Sequence, residues 1–256
     1  MSRPTASPIA SESPEPSAGG VTLLDYGCRA NVARCQDMAA GTYETSGTWA
    51  FLRGLTVTLP QGWSSFGQAA GAFELHLATD VGQANQIYFW RDLVPWVDGS
   101  AKPELGTTAD ALADYLLSDR RISVVEGPRR TFNVRELDTV RVADTIEARS
   151  FSVIVSDSAE TAPGTFGDCP DEACIGIFDD VAHWDGTVSL TRGNDQGASQ
   201  ALRVYIASIG YPTHPHTLFV VLSTFGVDPL EALAAWEVQV EPIIARVLVT
   251  PIVVDN

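Results

Sequence analysis

Short runs in which apolar and polar residues alternate dominate this chain, and they limit the folds that it can adopt. Leu55–Leu59 alternates leucine and valine with threonine, and residues 73–77 place Phe73, Leu75 and Leu77 on one face and Glu74 and His76 on the other. This period of two predicts strands with one buried face. Further strands are predicted at 86–90, 122–125, 131–137, 148–155, 188–191, 202–209 and 216–223.

Helical spacing occurs in two segments of the sequence. Residues 107–118 carry Leu112, Tyr115 and Leu116 at helical steps, with Thr107 as the expected N-cap. Near the C-terminus, Asp228 and Pro229 have the residue types of an N-cap and a first helical position. Apolar residues then recur at steps of three and four up to position 247, which predicts a long amphipathic helix packed on a sheet.

The order strands, helix, strands, helix lacks strict βαβ alternation, which favours an α+β fold with a largely antiparallel sheet. We expect a single α+β domain over residues 41–250. Residues 1–20 are rich in serine and proline and predict a disordered tether. Residues 21–40 form a segment that leads into this domain, and we expect a local disulfide to constrain it.

Four cysteines fall in two close pairs, Cys28 with Cys35 and Cys169 with Cys174. Local disulfides, free buried thiols and zinc ligands are the three alternatives. The spacings C-x6-C and C-x4-C match zinc sites poorly, so we expect two local disulfides. Disulfides persist in oxidising compartments, which predicts an extracytoplasmic location. With the tether, they indicate a secreted protein or one held at a membrane by a removed N-terminal signal, with a possible lipid anchor upstream.

Charge and hydropathy exclude several classes of partner. The formal net charge is −16, which disfavours nucleic acids and anionic lipids as ligands. No run of apolar residues is long enough for a transmembrane helix. The sequence also contains no nucleophile elbow and no phosphate-binding glycine loop, so we assign no catalytic residue and expect no cofactor.

Several segments together resemble secreted or lipoprotein-type domains of actinobacteria and their relatives. They are Gly41–Thr45, 55–63, 87–92, 107–116, the C-x4-C segment ending at Phe178, and the terminal helix. More distantly, the strand that ends in Pro60-Gln-Gly-Trp63 resembles PsbP-like domains. That resemblance implies an α/β/α sandwich with a curved sheet flanked by helices, and it implies no shared catalytic residues.

Histidines and acidic residues provide the candidate metal ligands. His214 and His216 are two positions apart, so in a strand both imidazoles share a face and can meet one metal ion, with His183 as a possible third ligand. The alternative is a polar loop before a strand. Asp168, Asp171 and Glu172 surround the second cysteine pair and can offer oxygen ligands to calcium, although their spacing matches no EF-hand and solvated carboxylates are the alternative.

Tryptophans are the remaining candidates for a binding surface. Trp96 and Trp184 are expected to be exposed and to bind a ligand or partner, whereas Trp63 and Trp236 are expected in the core. The sequence therefore favours a non-enzymatic extracytoplasmic domain that binds a protein or a small ligand. The alternative is an extracellular hydrolase that acts on a polymer through a pair of carboxylates.

Overall fold

The computed structural model describes most of the predicted strands and both predicted helices. The described residues are 21–24, 37–45, 54–66, 72–79, 85–97, 100–105, 108–118, 122–135, 142–155, 174–177, 187–190, 199–211 and 214–250.

The described elements are mainly strands. In chain order the strands are β1 (Thr22–Leu24), β2 (Asp37–Met38), β3 (Gly41–Thr45), β4 (Leu55–Leu59), β5 (Trp63–Phe66), β6 (Ala72–Leu77), β7 (Gln86–Arg91), β8 (Val94–Val97), β9 (Ser100–Ala101), β10 (Ile122–Arg135), β11 (Val142–Val155), β12 (Cys174–Ile177), β13 (Thr187–Leu190), β14 (Ser199–Tyr211), β15 (His214–Gly226) and β16 (Leu248–Val249). The helices are a short 3-10 turn at Pro103–Leu105, α1 (Ala109–Ser118) and α2 (Pro229–Ile244).

These strands form one large sheet and one small one. The large sheet has 12 strands in the order β1-β3-β4-β16-β10-β11-β14-β15-β7-β6-β5-β2, and the small sheet has four in the order β13-β12-β8-β9. Most pairs in the large sheet are antiparallel, but β1 pairs with β3, and β10 with β16, in parallel. In the small sheet β12 is parallel to both of its neighbours.

Two long antiparallel pairs, β10 with β11 and β14 with β15, form the centre of the large sheet. The sequence predicted two short strands at 122–125 and 131–137, but β10 is continuous across them. A register shift between Gly127 and Arg130 accommodates the Gly127-Pro128 step. Proline is tolerated within a sheet at such a bulge, so these two residues mark an irregularity in one strand and not a turn between two.

Each face of the central strands carries one helix. On β15, Leu218, Val220 and Leu222 join the buried cluster that contains α2. Phe219 and Val221 point the other way and join the cluster that contains α1. Because side chains alternate along a strand, a nearly continuous apolar run supplies both layers.

The large sheet curls around α2. In the sheet order β4 and β5 are eight neighbour steps apart, which in a flat sheet would separate them by about 38 Å. In the chain, Leu59 at the end of β4 precedes Trp63 at the start of β5 by only four residues, which reach at most about 14 Å. Both residues belong to the α2 cluster, and the rings of Trp63 and Trp236 lie 5.6 Å apart.

The predicted α+β class is wrong. Among the described residues, strands far outnumber helical positions, two α-helices are present, and the large sheet is mixed. The protein is therefore closer to an all-β fold than to the α/β/α sandwich that the PsbP-like resemblance implied. There are two physical reasons. The strands β10, β11, β14 and β15 extend through their polar residues, and the short strands β2 and β16 are set by pairing with distant strands.

Several local predictions are confirmed. Leu55–Leu59 is a strand, and Trp63 and Trp236 are buried. Helix α2 begins after Asp228, whose Oδ1 accepts a hydrogen bond from the backbone N–H of Glu231 at 3.2 Å. In α1 the hydroxyl of Thr108 accepts a hydrogen bond from the backbone N–H of Ala111, as an N-cap does. Thr107, the cap that the sequence predicted, lies outside the described residues.

The disulfide predictions lie outside the described residues. Cys28, Cys35 and Cys169 fall in segments that the structure does not describe, and only the backbone of Cys174 is described, in β12. The predicted tether at 1–20 lies outside them as well.

Candidate functional site

A carboxylate and an imidazole meet where β7 ends and β15 begins. Asp92 follows the last residue of β7, and its Oδ2 lies 2.8 Å from Nδ1 of His216 in β15. The two residues are 124 positions apart in the sequence. The antiparallel pairing of β15 with β7, in which Leu218 lies opposite Arg91, brings them together.

The backbone holds Asp92 rigidly in this position. Its N–H donates to the carbonyl oxygen of Thr217 at 3.0 Å, and its Oδ1 accepts from the N–H of Thr217 at 2.8 Å. Asp92 has a φ of 55°, in the left-handed region that non-glycine residues rarely adopt. Strained conformations of this kind cluster at binding and catalytic sites, where the surrounding structure maintains them.

Arg91 supplies a positive charge beside the carboxylate. Its Nε lies 3.1 Å from Oδ2 of Asp92, the same oxygen that contacts His216. Burial lowers the pKa of Arg91, and the neighbouring Asp92 carboxylate opposes that shift. Oδ2 of Asp92 thus contacts both an arginine and an imidazole, while Oδ1 accepts a hydrogen bond from a backbone amide.

The contact with Asp92 determines which imidazole nitrogen is free to react. Because Oδ2 of a carboxylate is an acceptor, Nδ1 of His216 carries the proton and Nε2 of the neutral ring presents a lone pair. Nε2 is buried and has no hydrogen-bond partner among the described residues. Such an imidazole can accept a proton, accept a hydrogen bond from a ligand, or coordinate a metal ion.

A second polar cluster lies on the face of β6 and β7 that does not contact α2. Nε2 of Gln86 donates to Oε1 of Glu74 at 2.6 Å, and the hydroxyl of Tyr88 donates to Oε1 of Gln86. Burial raises the pKa of Glu74 to about 8, although the bond from Gln86 lowers it. A carboxyl group with such a pKa suits a general acid, but Glu74 is only 3% exposed, so a polymer substrate would not reach it.

The solvent-facing side of α2 carries several apolar residues beside the exposed Glu231, Gln239 and Glu241. We define the α2 outer face as Leu230, Ala234, Ala235, Val238 and Pro242, all of which are exposed. Val238 is 76% exposed and Leu230 is 50% exposed, and Val227, just before the helix, is 98% exposed. The opposite side of the same helix is already buried in the core, so this second apolar side is surplus to folding.

The structure places only some of the predicted site residues. His216 contacts Asp92 in the site described above, and its predicted binding role remains a prediction. Only the backbones of His214 and Trp96 are described, in β15 and β8. The remaining predicted site residues lie outside the described part of the chain: His183, Trp184, Asp168, Asp171 and Glu172. The predictions for these residues remain predictions.

Sequence reasoning missed Asp92, Glu74 and the α2 outer face. Asp92 gives no local signal, because its partner His216 is distant in sequence. The α2 outer face did have a signal, since Ala234, Val238 and Pro242 continue at steps of four from Leu230 outside the core-facing stripe.

No protein-family model matches this chain, and no curated protein matches it. The resemblance to secreted actinobacterial domains therefore stays a prediction. None of the helices in the described residues is long and apolar enough to cross a membrane. Within the same residues, no group of three or more His, Cys, Asp or Glu side chains is arranged to hold a metal ion.

Proposed function

We propose that the protein is a non-enzymatic extracytoplasmic domain that binds a partner protein through the α2 outer face. The observation that supports this proposal is the exposed apolar side of a helix whose other side is packed in the core. Contiguous exposed apolar surface on a soluble protein is typical of an interaction site. The extracytoplasmic location is supported by the spacing of the cysteines and by the serine- and proline-rich residues 1–20.

Three side chains are expected to dominate the binding energy. Fully burying an exposed valine or leucine contributes about 1.5–3 kcal/mol. Val227, Leu230 and Val238 are the exposed large apolar residues on and beside α2, so a partner that covers them buries the most apolar surface there. Ala234 and Ala235 keep the surface between them flat, which suits a shallow groove.

Charge defines the chemistry of the partner. Glu231 and Glu241 are exposed beside the apolar residues, and the whole chain has a net charge of −16. A second copy of this chain would be repelled, because like charges at an interface oppose association. A protein with an apolar groove and a rim of lysine or arginine side chains is therefore the expected partner.

A crosslinking experiment followed by a binding measurement tests this proposal. A photoreactive amino acid at position 238 is used to capture neighbours from a cell-envelope preparation of the source organism, with the same group at position 125 as a control. Val125 is 67% exposed in β10, away from α2. Each protein captured from position 238 is purified, and its dissociation constant is measured for the wild type, for Leu230→Glu/Val238→Glu and for Val125→Glu.

The proposal predicts that the double variant binds at least about tenfold more weakly and that Val125→Glu binds like the wild type. Equal affinity for all three proteins would contradict it. Capture from both positions alike would contradict it too, because the contact would then not depend on α2. Circular dichroism of each variant verifies that the substitutions leave the fold intact.

A further inference from the structure

We propose that a buried network of Glu74, Gln86 and Tyr88 makes one end of the large sheet sensitive to pH. In this device β5 and β6 close more firmly on acidification and detach from β7 more often as the pH rises. The network lies on the face of the sheet opposite to α2 and does not depend on the proposed partner. The inference is supported by a buried carboxyl group placed next to the last strands of the sheet.

A layer of buried polar side chains crosses β5, β6, β7 and β15 on the face that does not contact α2. The register aligns one polar residue from each of these strands, and all four are buried: Ser64, His76, Gln86 and Ser223. Two positions further along the same face, Glu74 of β6 lies opposite Tyr88 of β7. Because this layer is shielded from solvent, a charge that forms in it must be stabilised by neighbouring protein groups.

Gln86 connects the carboxyl group of Glu74 to the hydroxyl of Tyr88. Nε2 of Gln86 donates to Oε1 of Glu74 at 2.6 Å, and the Tyr88 hydroxyl donates to Oε1 of Gln86. Burial, and to a lesser degree the charge of Glu74, raises the pKa of Tyr88, so its hydroxyl keeps the proton that it donates. The amide of Gln86 is therefore held in one orientation, with its NH2 group towards Glu74.

The groups that face Glu74 give it little support as an anion. Gln86 provides one hydrogen bond, Tyr88 donates to Gln86 and not to the carboxyl group, and His76 is the neighbouring titratable residue of β6. On this face β5 and β15 carry no charged residue in the part of the chain that the structure describes, and the acidic residues of α1 contact Arg149. Burial raises the pKa of Glu74 to about 8, against the opposing effect of the bond from Gln86.

The position of β5 and β6 in the sheet allows them to open without the rest of the fold. In the sheet order, β6 is followed only by β5 and by the two-residue strand β2. Water can therefore reach Glu74 when this end detaches from β7, while β7, β15 and β14 stay paired. Such opening also removes Trp63 of β5 from its contact with Trp236 of α2, whose ring lies 5.6 Å away.

Proton linkage sets the direction of the effect. In the closed state the pKa of Glu74 is about 8, and in the open state it returns to the ordinary value of 4.5. Between these values the open state binds fewer protons, so its population rises by about tenfold per pH unit. Below this range and above it, Glu74 has the same charge in both states. A buried neutral imidazole would give the opposite sign, because exposure would let it gain a proton on acidification.

Hydrogen exchange at pH 5.5, 6.5 and 7.5 tests the proposal, with each rate divided by the intrinsic rate of an unprotected amide at that pH. In the wild type, we expect the protection of amides in β5 and β6 to fall by about tenfold per pH unit. In Glu74→Gln, which cannot ionise, it should change by less than about twofold. Glu147→Gln makes the same substitution at an exposed position and should behave like the wild type.

Amides of β14 and β15 separate local opening from global unfolding. These strands lie inside the sheet and should be more protected than β5 and β6 at every pH. Equal protection in all four strands would overturn the proposal, because β5 and β6 would then exchange only by global unfolding. Protection that does not change with pH in the wild type would overturn it as well.

Two variants identify the group that senses pH. A tenfold dependence that persists in Glu74→Gln would overturn the proposal, since another group would then be responsible. His76→Gln should keep the dependence of the wild type, because Glu74 is still present. Its loss in His76→Gln alone would assign the effect to the imidazole and contradict the role of Glu74.

Discussion

Glu74 is the single residue whose ionisation should most affect stability. It is buried in β6, and burial raises its pKa from 4.5 to about 8, against the opposing effect of the bond from Gln86. Below pH 4.5 the carboxyl is protonated in both the folded and unfolded chain. Between pH 4.5 and 8 the unfolded chain releases this proton and the folded protein keeps it, so the free energy of unfolding falls as pH rises.

Glu74→Gln should remove this dependence, because glutamine retains the acceptor oxygen for Gln86 and does not ionise. We expect the wild type to lose on the order of a few kcal/mol between pH 5 and pH 9, and the variant to lose much less. Urea unfolding at pH 5, 7 and 9 measures the difference. Glu147→Gln is the control, since Glu147 is exposed. Parallel pH profiles of wild type and Glu74→Gln would show that Glu74 is ionised in the folded protein.

At the scale of elements, α2 depends on an N-cap that the sequence itself reveals. Oδ1 of Asp228 accepts from the N–H of Glu231, and Pro229 occupies the first helical turn. Asp228→Ala leaves that N–H without its acceptor and should lower the free energy of unfolding by about 0.5–2 kcal/mol. Asp228→Asn, which retains an oxygen acceptor, should lose less. Equal losses in both variants, measured by urea unfolding, would attribute the effect to charge at the helix terminus and not to the cap.

The elements that could be predicted are those decided by neighbouring residues. The cap of α2 and the alternation of β4 lie within a few positions, so the sequence predicts both. The pairing of β4 with β16 places Leu55 opposite Val249. No pattern in the residues around either position predicts this pairing. The polar residues at alternate positions of β6 were compatible with two arrangements, in which their side of the strand faces solvent or is covered by other residues. Glu74 is buried, so that side is covered.

At the scale of the whole molecule, the curled sheet makes α2 the common contact of strands that are distant in the sheet. Trp236 packs against Trp63 of β5, and its Nε1 donates to the carbonyl oxygen of Gln86 in β7 at 3.2 Å. Helix α2 also contacts β4, near the other end of the sheet order. Opening of α2 should therefore expose the backbone of both ends of the sheet together.

Trp236→Phe tests this coupling, because phenylalanine keeps an aromatic ring but loses the bond to Gln86 and part of the contact with Trp63. Hydrogen exchange followed by mass spectrometry should show faster exchange in β4 and in β5 and β6 alike. The comparison is Leu112→Ala in α1, which belongs to the buried cluster on the opposite face. That variant should accelerate exchange in α1 and β14 and leave β4 protected. Faster exchange confined to β5 and its neighbours in Trp236→Phe would mean that the ends of the sheet open independently, so that α2 does not couple them.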